Sequence, residues 1–351
     1  MSDNPIVTKT RSLYRIFILC SLAFLNAACG GGGGSSNGES SSSDGDGSSG
    51  GSTGLEGTLI FEKVVNKIHQ YDLATNEAKE VLELDGVIGV DESQNLIFVE
   101  DDFQVEGDGV NFRVTTHTMD RNGNVISSFV KPGSFTLDVD PKVSPDGSVI
   151  AMYYEPENLG IPALVLVNRN GDTLRYYEDQ HSHIRAFDWS PSGVLYIAED
   201  DSIYKVDFQV GPEKQLVRKF NDSHVWDTLS ISPNGMQVAF SMSQTSMTRG
   251  SGYFDLYVMN VDGTNLRVMV NNEEHDIHGA AWSPDGKHLA ITRGIDAHDA
   301  IQPCRGALYI IKATAANLTL DENSPDVISL VDTLGDRFCS NPASVPIWAD
   351  W

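Results

Sequence analysis

The sequence is short of basic residues, of cysteine and of long apolar runs. Its 24 Lys and Arg stand against 49 Asp and Glu, which gives a formal net charge of −25 at pH 7. Phosphate binding needs a basic surface, so the composition argues against nucleic acid as a partner. An acidic surface also disfavours adsorption to anionic lipid. No apolar run reaches the roughly 20 residues that a membrane-spanning helix needs.

Residues 1–28 have the layout of a secretory signal peptide. A basic segment is followed by the apolar stretch Ile16–Leu25, which is too short to cross a bilayer, and then by Asn26–Ala28. The basic residues are Lys9, Arg11 and Arg15. This order of segments predicts export from the cytoplasm.

The residues around Cys29 resemble a lipobox, in which small residues precede a cysteine that is acylated and becomes the mature N-terminus. The resemblance implies a lipid anchor on Cys29, and Gly30 after it implies the outer membrane of a Gram-negative envelope. Asn26 departs from the aliphatic residue usual three places before the cysteine. Cleavage after Ala28 to give a soluble periplasmic protein is therefore the alternative.

Residues 29–56 comprise this cysteine and a linker of Gly and Ser with a few acidic residues. Such a composition cannot bury apolar surface, so we expect a disordered tether. The folded domain is predicted to cover residues 57–351.

A turn motif of the form Ser-Pro-x-Gly recurs through this domain, spaced by 46, 42 and 51 residues. The four copies are Ser144–Gly147, Ser190–Gly193, Ser232–Gly235 and Ser283–Gly286. Proline presets φ at the second turn position, and glycine supplies the positive φ that leads into the next strand. An apolar strand stands on each side of every copy, which predicts a tight antiparallel connection.

Each repeat continues with a third and a fourth short strand, as at Leu256–Met259 and Leu266–Met269. Four antiparallel strands per repeat are typical of a β-propeller blade. Weaker copies at Val90–Phe98 and Gly57–Phe61 raise the predicted count to six blades. The first blade lacks its first strand, and Val345–Asp350 is predicted to supply it and close the ring. Equivalent first-strand positions hold Trp189, Trp282 and Trp348, which we expect to pack between blades.

The Ser-Pro-Asp-Gly turn and the later strand Leu256–Gly263 resemble the WD-like propeller repeat of TolB-like proteins, over about residues 57–351. They are similar also to the propeller domains of dipeptidyl peptidases and oligopeptidases. The resemblance implies an all-β fold and says little about function, because propellers serve many roles. TolB has an N-terminal α/β domain where this chain has the linker, so a direct role in the Tol system is doubtful. The α/β-hydrolase domain of the peptidases has no counterpart here, so we expect no peptidase activity.

The two ends of the blades are predicted to differ. One end, the turn face, carries the four Ser-Pro-x-Gly turns. The opposite end, the loop face, carries the connections between blades and the longest segments between strands, which are Asp101–Val110, Glu155–Pro162, Ser243–Tyr253 and Arg293–Gly306. Variable loops on a rigid scaffold are where function usually lies, so we expect the binding surface on the loop face.

Histidine and acidic residues are concentrated where three consecutive connections enter the first strands of their blades. With Trp226, which lies among them, they form the set His181, His183, Asp222, His224, Trp226, Glu274, His275, Asp276 and His278. We expect them to converge at one mouth of the central channel as a ligand site. Imidazole and carboxylate groups suit a divalent cation, but the same residues also fit a solvated acidic rim with no cofactor.

Two cysteines remain after Cys20 and Cys29 are set aside. In an oxidising compartment an even pair favours a disulfide, and Cys304 and Cys339 are both predicted to lie on the loop face of the last blade. We therefore predict a disulfide between them, with two unpaired thiols as the alternative.

No catalytic set is identifiable in the folded part, so the sequence favours a non-catalytic binding protein. We expect a monomer, lipid-anchored in the envelope, that binds a periplasmic or envelope protein partner or another ligand through the loop face. Membrane contact is expected only through the anchor, with the propeller in the periplasm or at the cell surface. The alternative is a metal-dependent hydrolase or lactonase with its site at the channel mouth.

Overall fold

The described part of the chain is built from β-strands alone. The structure, a computed structural model, describes residues 55–64, 67–83, 87–93, 95–106, 109–119, 124–135, 139–178, 183–221, 223–243, 254–271, 276–294, 306–320, 324–330 and 347–349. Within these ranges no helix is long and apolar enough to cross a membrane. The strands below belong to one compact unit, apart from Val105–Glu106 at the end of β5 and Gly109–Val110 at the start of β6, which are grouped with a second.

The described residues contain 24 strands, which form five antiparallel sheets. Sheet 1 consists of β1 (Thr58–Val64), β2 (Lys67–Asp72), β3 (Glu77–Glu83) and β24 (Ile347–Ala349). Sheet 2 consists of β4 (Val87–Ser93), β5 (Asn95–Glu106), β6 (Gly109–Met119), β7 (Val125–Phe135), β8 (Lys142–Val143), β9 (Val149–Pro156), β10 (Ala163–Asn168) and β11 (Thr173–Glu178).

The other three sheets have four strands each. Sheet 3 consists of β12 (Ile184–Trp189), β13 (Leu195–Glu199), β14 (Ser202–Asp207) and β15 (Gly211–Lys219). Sheet 4 consists of β16 (His224–Ile231), β17 (Gln237–Ser243), β18 (Phe254–Asn260) and β19 (Arg267–Val270). Sheet 5 consists of β20 (Ile277–Trp282), β21 (His288–Gly294), β22 (Gly306–Lys312) and β23 (Val327–Ser329).

The predicted count of six separate blades is wrong, because the second and third sets of four strands share one eight-stranded sheet. The first strand of the third set, β8, has only two residues and pairs with Ile150 and Ala151 of β9. Pro141, directly before β8, has no amide hydrogen to extend the ladder. The end of β7 pairs with the rest of the β9 edge, from Gly133↔Pro156 to Phe135↔Tyr154. The structure therefore has five sheets.

The first strands form a closed succession. Strand β4 lies against β8, β8 against β12, β12 against β16, β16 against β20, and β20 against β24, which returns to β4. The last strand pairs with the first, with Leu59 opposite Trp348 and Ile60 opposite Ile347. Chain closure by the C-terminal strand is confirmed, and it removes the edge that β1 would otherwise present.

The core lies between the sheets. In β10 and β13 every residue except Asn168 is buried, because each face of an inner strand is covered by a neighbouring sheet. The outer strand β15 has no such cover and is mostly exposed. The predicted packing of Trp189 and Trp282 between sheets is confirmed. Both are buried, and their indole nitrogens donate to carbonyls of the preceding first strand, at Lys142 and Ser230 respectively, both at 3.1 Å.

Strands β5 and β6 correct a second prediction. The segment Asp101–Val110 was expected to be a long loop, but β5 continues to Glu106 and β6 begins at Gly109. The two strands are neighbours in sheet 2, and both extend into the segment that was predicted to be a loop. Strand lengths at this position are therefore set by pairing with the partner strand rather than by local composition.

The four Ser-Pro-x-Gly turns have the predicted geometry. In each, the glycine amide donates to the serine carbonyl at 2.7–2.8 Å, and the glycine has a φ between 68° and 80°. The serine hydroxyl accepts the amide hydrogen of the next strand, for example from Val149 to Ser144 at 2.9 Å. The residue at the third position, which is Asp146, Ser192, Asn234 or Asp285, bonds the same hydroxyl.

Two of these turns should make stability depend on pH. The Ser144 hydroxyl and the Ser148 amide lower the pKa of Asp146 from its usual 3.8 to about 2, and the Ser283 hydroxyl and the Lys287 amide do the same for Asp285. A depressed pKa contributes stability that is present above about pH 4 and is lost as the pH falls towards 2. Both carboxylates are exposed, so we expect about 1 kcal/mol or less from each.

Acid titration of the unfolding free energy tests this. The double variant Asp146→Asn, Asp285→Asn should lose less stability between pH 4 and pH 2 than the unaltered chain, because asparagine does not take up a proton in this range. The turn should still form, since Asn234 already occupies the same position in the third copy. The converse variant, Asn234→Asp, should lose more unfolding free energy than the unaltered chain between pH 4 and pH 2. Parallel titration curves for all three proteins would contradict the assignment.

Candidate functional site on the loop face

The described residues of the predicted channel-mouth set stand at equivalent places in three sheets. His183, His224 and Asp276 each come directly before a buried aliphatic residue near the start of a first strand, which is Ile184, Val225 or Ile277. Within the described residues they fall into two groups, one at the junction of sheets 3 and 4 and one between sheets 4 and 5.

A tight turn, Asp200–Asp201, organises the first group. Arg185 donates to Oδ1 of Asp200 through both Nε, at 3.2 Å, and NH2, at 3.1 Å. The amide of His183 lies 3.3 Å from Oδ2 of the same carboxylate, and the amide of Asp200 donates back to the His183 carbonyl at 3.1 Å. Both oxygens of Asp200 are thus occupied, and the His183 side chain is left exposed.

Asp201 faces the connection that leads into sheet 4. Its carboxylate lies 3.0 Å from Nζ of Lys219 and accepts the Ser202 hydroxyl at 2.8 Å. Partial burial on its own would raise the pKa of Asp201, but the hydrogen bonds from Lys219 and Ser202, with the charges of Lys219 and His224, bring it below its usual value. The carboxylate therefore remains ionised and paired near neutral pH.

The backbone of this turn ties the two sheets together. The amide of Val225 donates to the Asp200 carbonyl at 2.6 Å, and the amide of Phe220 donates to the Asp201 carbonyl at 2.7 Å. The Phe220 ring packs on Phe240 of sheet 4, with centroids 5.4 Å apart. His183, His224 and the cations Arg185 and Lys219 therefore surround one hydrogen-bonded turn.

The second group surrounds Asp276. Its carboxylate accepts the amide of Phe254 at 2.9 Å, and its carbonyl accepts the amide of Gly294 at 2.8 Å. A Cβ on Gly294 would lie 2.8 Å from Nε2 of His278, so the glycine makes room for this ring. Asp276 thus joins the start of β18 and the end of β21, and the His278 ring lies beside Gly294 at that end.

Arg185 and His278 occupy the same kind of position in their sheets. In β12 the pairing register shifts between Ile184 and Ala186, and in β20 it shifts between Ile277 and Gly279, so each of the two residues is the extra one of a β-bulge. Bulges reorient a side chain and are over-represented near functional sites. Strand β4 has a register shift between Val87 and Gly89, and β16 has one between Trp226 and Leu229.

Several predicted site residues lie outside the described residues. They are His181, Asp222, Glu274 and His275, together with the lipidation site Cys29 and the proposed disulfide pair Cys304 and Cys339. Trp226 is placed by its backbone in β16, opposite Ser241. Within the described ranges, no group of three or more His, Cys, Asp or Glu side chains is arranged to hold a metal ion.

Sequence reasoning missed four residues of the first group: Arg185, Asp200, Asp201 and Lys219. Arg185 stands inside an apolar strand, where an alternating pattern assigns it no special role, and the bulge that reorients it leaves no mark in the sequence. Asp200 and Asp201 form a two-residue connection between the second and third strands of sheet 3, whereas function was predicted on the longest connections. The two consecutive aspartates were the signal that the sequence offered for a tight turn here. In the structure Asp200 has a positive φ of 29°.

The two aspartates of this turn are poorly suited to proton transfer. A general acid or base needs a pKa near the working pH, whereas Asp201 has a lowered pKa and Asp200 is held by Arg185. The group presents the exposed His183 ring to solvent, beside the ion pairs Arg185–Asp200 and Lys219–Asp201.

Comparison with known proteins agrees with this fold and adds little on chemistry. No family model matches the chain. One curated relative, a probable dipeptidyl peptidase 4 of Neosartorya fischeri, is 30% identical over 114 residues, which cover 31% of this chain and only 14% of that protein.

Solved structures match over most of the chain at low identity. TolB from Acinetobacter baumannii superposes with a TM-score of 0.54 at 14% identity, over 84% of this chain and 66% of that one. A putative TolB from Agrobacterium tumefaciens gives 0.52 at 15% identity, over 84% of this chain and 98% of that one. A structure of a nidogen/laminin complex gives a TM-score of 0.53 at 12% identity, over 83% of this chain and 98% of that one. The chain therefore has the fold of a TolB-like β-propeller.

Proposed function

We propose that this chain is a non-catalytic binding protein of the cell envelope whose loop face takes a protein partner. The observation that carries the proposal is the paired state of the ionisable groups around the Asp200–Asp201 turn. Asp200 is bound by Arg185 and Asp201 by Lys219, so the charges are preorganised in a fixed pattern and the exposed His183 stands beside them. Fixed charge patterns suit recognition and steering of a partner.

The partner is a protein with a basic contact surface. The net charge of −25 attracts cations over distances near the Debye length and raises association rates with a positively charged protein. One of the structural neighbours was determined as a nidogen/laminin complex, and this supports a fold of this kind as a module that binds another protein.

The envelope location rests on residues 1–56. The basic segment, the short apolar core and the small residues before Cys29 support export and acylation. The Gly- and Ser-rich linker then supports a tethered domain that stands away from the bilayer, with an r.m.s. reach of about 25–30 Å. We propose attachment to the outer membrane through Cys29.

Site-specific photocrosslinking in the native cells tests the proposed surface. A photoreactive amino acid at position 183, on the loop face, should give a discrete crosslink to another protein. The matched control is the same amino acid in place of Met236, which is exposed on the turn face. Crosslinks of equal yield and identity at both positions, or none at 183, would contradict the proposal.

A catalytic role is the second candidate, and the match to a probable dipeptidyl peptidase 4 is the observation that favours it. We expect purified chain to show no hydrolysis of chromogenic ester, lactone or dipeptide substrates. A hydrolytic activity that the substitutions His183→Ala, His224→Ala and His278→Ala abolish, and that His288→Ala on the turn face leaves intact, would replace the binding proposal with an enzymatic one.

A further inference from the structure

A groove opens on the turn face, at the opposite end of the sheets from the Asp200–Asp201 turn. It lies between the β8–β11 part of sheet 2 and sheet 3, and its volume is about 500 Å³. Pockets for small organic ligands fall within roughly 300–1,000 Å³. The floor and walls are mainly apolar, and they include Pro145, Leu166, Leu174, Trp189, Pro191 and Phe208.

The rim of the groove carries large apolar side chains that are open to water. Leu174 and Phe208, which line the groove, are 55% and 42% exposed, and Val210, in the same β14–β15 turn as Phe208, is 74% exposed. The Phe208 ring extends the apolar surface of Trp189, with ring centroids 6.1 Å apart. Scattered exposed apolar residues need no explanation, but several around one concave surface indicate a place where another molecule is bound.

One positive charge in the groove has no strong partner. Nε of Arg175 is buried and has no hydrogen-bond acceptor within the described residues. The nearest carboxylate, on Glu213, lies 3.7 Å from NH2 and is 86% exposed, so it forms only a weak surface pair. The guanidinium is held in place by the Tyr177 ring, whose centroid lies 5.2 Å from its central carbon.

The negative charge on the other wall is already satisfied. The Asp146 carboxylate accepts hydrogen bonds from the hydroxyls of Ser144 and Ser148 and from the Ser148 amide, at 2.7–3.0 Å. These bonds hold the carboxylate within the Ser144–Gly147 turn and involve both of its oxygens. Arg175 has only the weak pair with Glu213, so its guanidinium is the group in the groove that can still receive an anion.

We propose that this groove is a binding site for a small amphiphilic anion, with an apolar body between Leu174 and Phe208 and a carboxylate or similar head on Arg175. The apolar walls supply affinity through burial, and the guanidinium selects the charge of the head group. This site is separate from the loop face and does not depend on the partner proposed for it.

Fluorescence titration of the purified full chain with anilinonaphthalene sulfonate, an apolar aromatic probe with one negative charge, tests the site. Phe208→Ser and Leu174→Ser should each weaken binding roughly tenfold, since each removes apolar surface that the ligand would cover. Both residues are exposed in the free protein, so the folded state should persist, as the unchanged circular dichroism would confirm.

The matched control is Met236→Ser, which removes an apolar side chain that is 65% exposed elsewhere on the turn face. It should leave the titration unchanged. If the probe binds all four proteins equally, or does not bind the unaltered chain, the groove is not a ligand site.

The role of Arg175 is tested with a pair of probes that differ in charge. Arg175→Gln should weaken binding of the sulfonate about tenfold, because it removes the charged partner of the anionic head group. It should leave the neutral analogue N-phenylnaphthylamine bound as before. Equal weakening of both probes would overturn the assignment of an anionic ligand, as would failure of decanoate to displace the sulfonate.

Discussion

Trp282→Ala should lower the free energy of unfolding by about 3–5 kcal/mol, the range for truncating a large buried aromatic residue. Trp282 is 6% exposed and belongs to the core cluster between sheets 4 and 5, with Leu256 and Tyr309. Its removal leaves a cavity that rigid sheets cannot close. Chemical denaturation followed by far-UV circular dichroism measures the change.

Two further variants separate packing from hydrogen bonding at this position. Trp282→Phe keeps most of the ring volume and loses the bond from the indole nitrogen to the Ser230 carbonyl, so about 1 kcal/mol should be lost. Trp189→Ala, at the equivalent place between sheets 2 and 3, should match Trp282→Ala. A loss below 1 kcal/mol in either alanine variant would show that these side chains do not join the sheets.

Gly133→Ala should cost roughly 2–4 kcal/mol, because it combines a backbone conformation that is unfavourable for other residues with overpacking. Gly133 has a φ of 151°, and a Cβ there would lie 2.3 Å from the carbonyl oxygen of Glu155. That oxygen belongs to β9, at the point where β7 joins it. The substitution should therefore disrupt the pairing that makes sheet 2 continuous.

Amide hydrogen exchange gives this variant a specific readout. Protection should fall at Ser134 and Phe135 and at the facing end of β9, and should be retained in sheet 4. The control is Gly193→Ala, at a φ of 80° with no atom within 4 Å of the added Cβ, which should cost only the conformational term of about 1–2 kcal/mol. Similar losses in both variants, with no local change in exchange, would refute close contact at Gly133.

The sequence predicted the turns because their physics is local. Ser144, Asp146 and Gly147 lie within four residues, and each contributes a bond or a φ value that its residue type favours. The buried tryptophans were predictable for a related reason, since the repeat aligned Trp189 with Trp282. Closure by β24 followed from the same alignment, which left the first repeat without its first strand.

The features that escaped prediction depend on contacts between distant segments. The merging of two blades into sheet 2 results from the shortness of β8, which leaves part of the β9 edge for the end of β7. The network at Asp200 depends on a bulge that reorients Arg185. The groove is lined by residues from four separate segments of the chain, among them Pro145, Leu174, Trp189 and Phe208. No one of these segments, taken by itself in the sequence, indicates a ligand site.

The pairing of β24 with β1 determines where the ring of sheets can open. The contact spans three residue pairs, from Thr58↔Ala349 to Ile60↔Ile347, so it is short compared with the other ladders of sheet 1. If thermal motion separates it, two unsatisfied strand edges appear at the same moment, on β24 and on β1. Each is a template for strand addition from a neighbouring molecule. Resistance to domain-swapped assemblies during heating therefore depends on this small contact more than on the large apolar interfaces elsewhere.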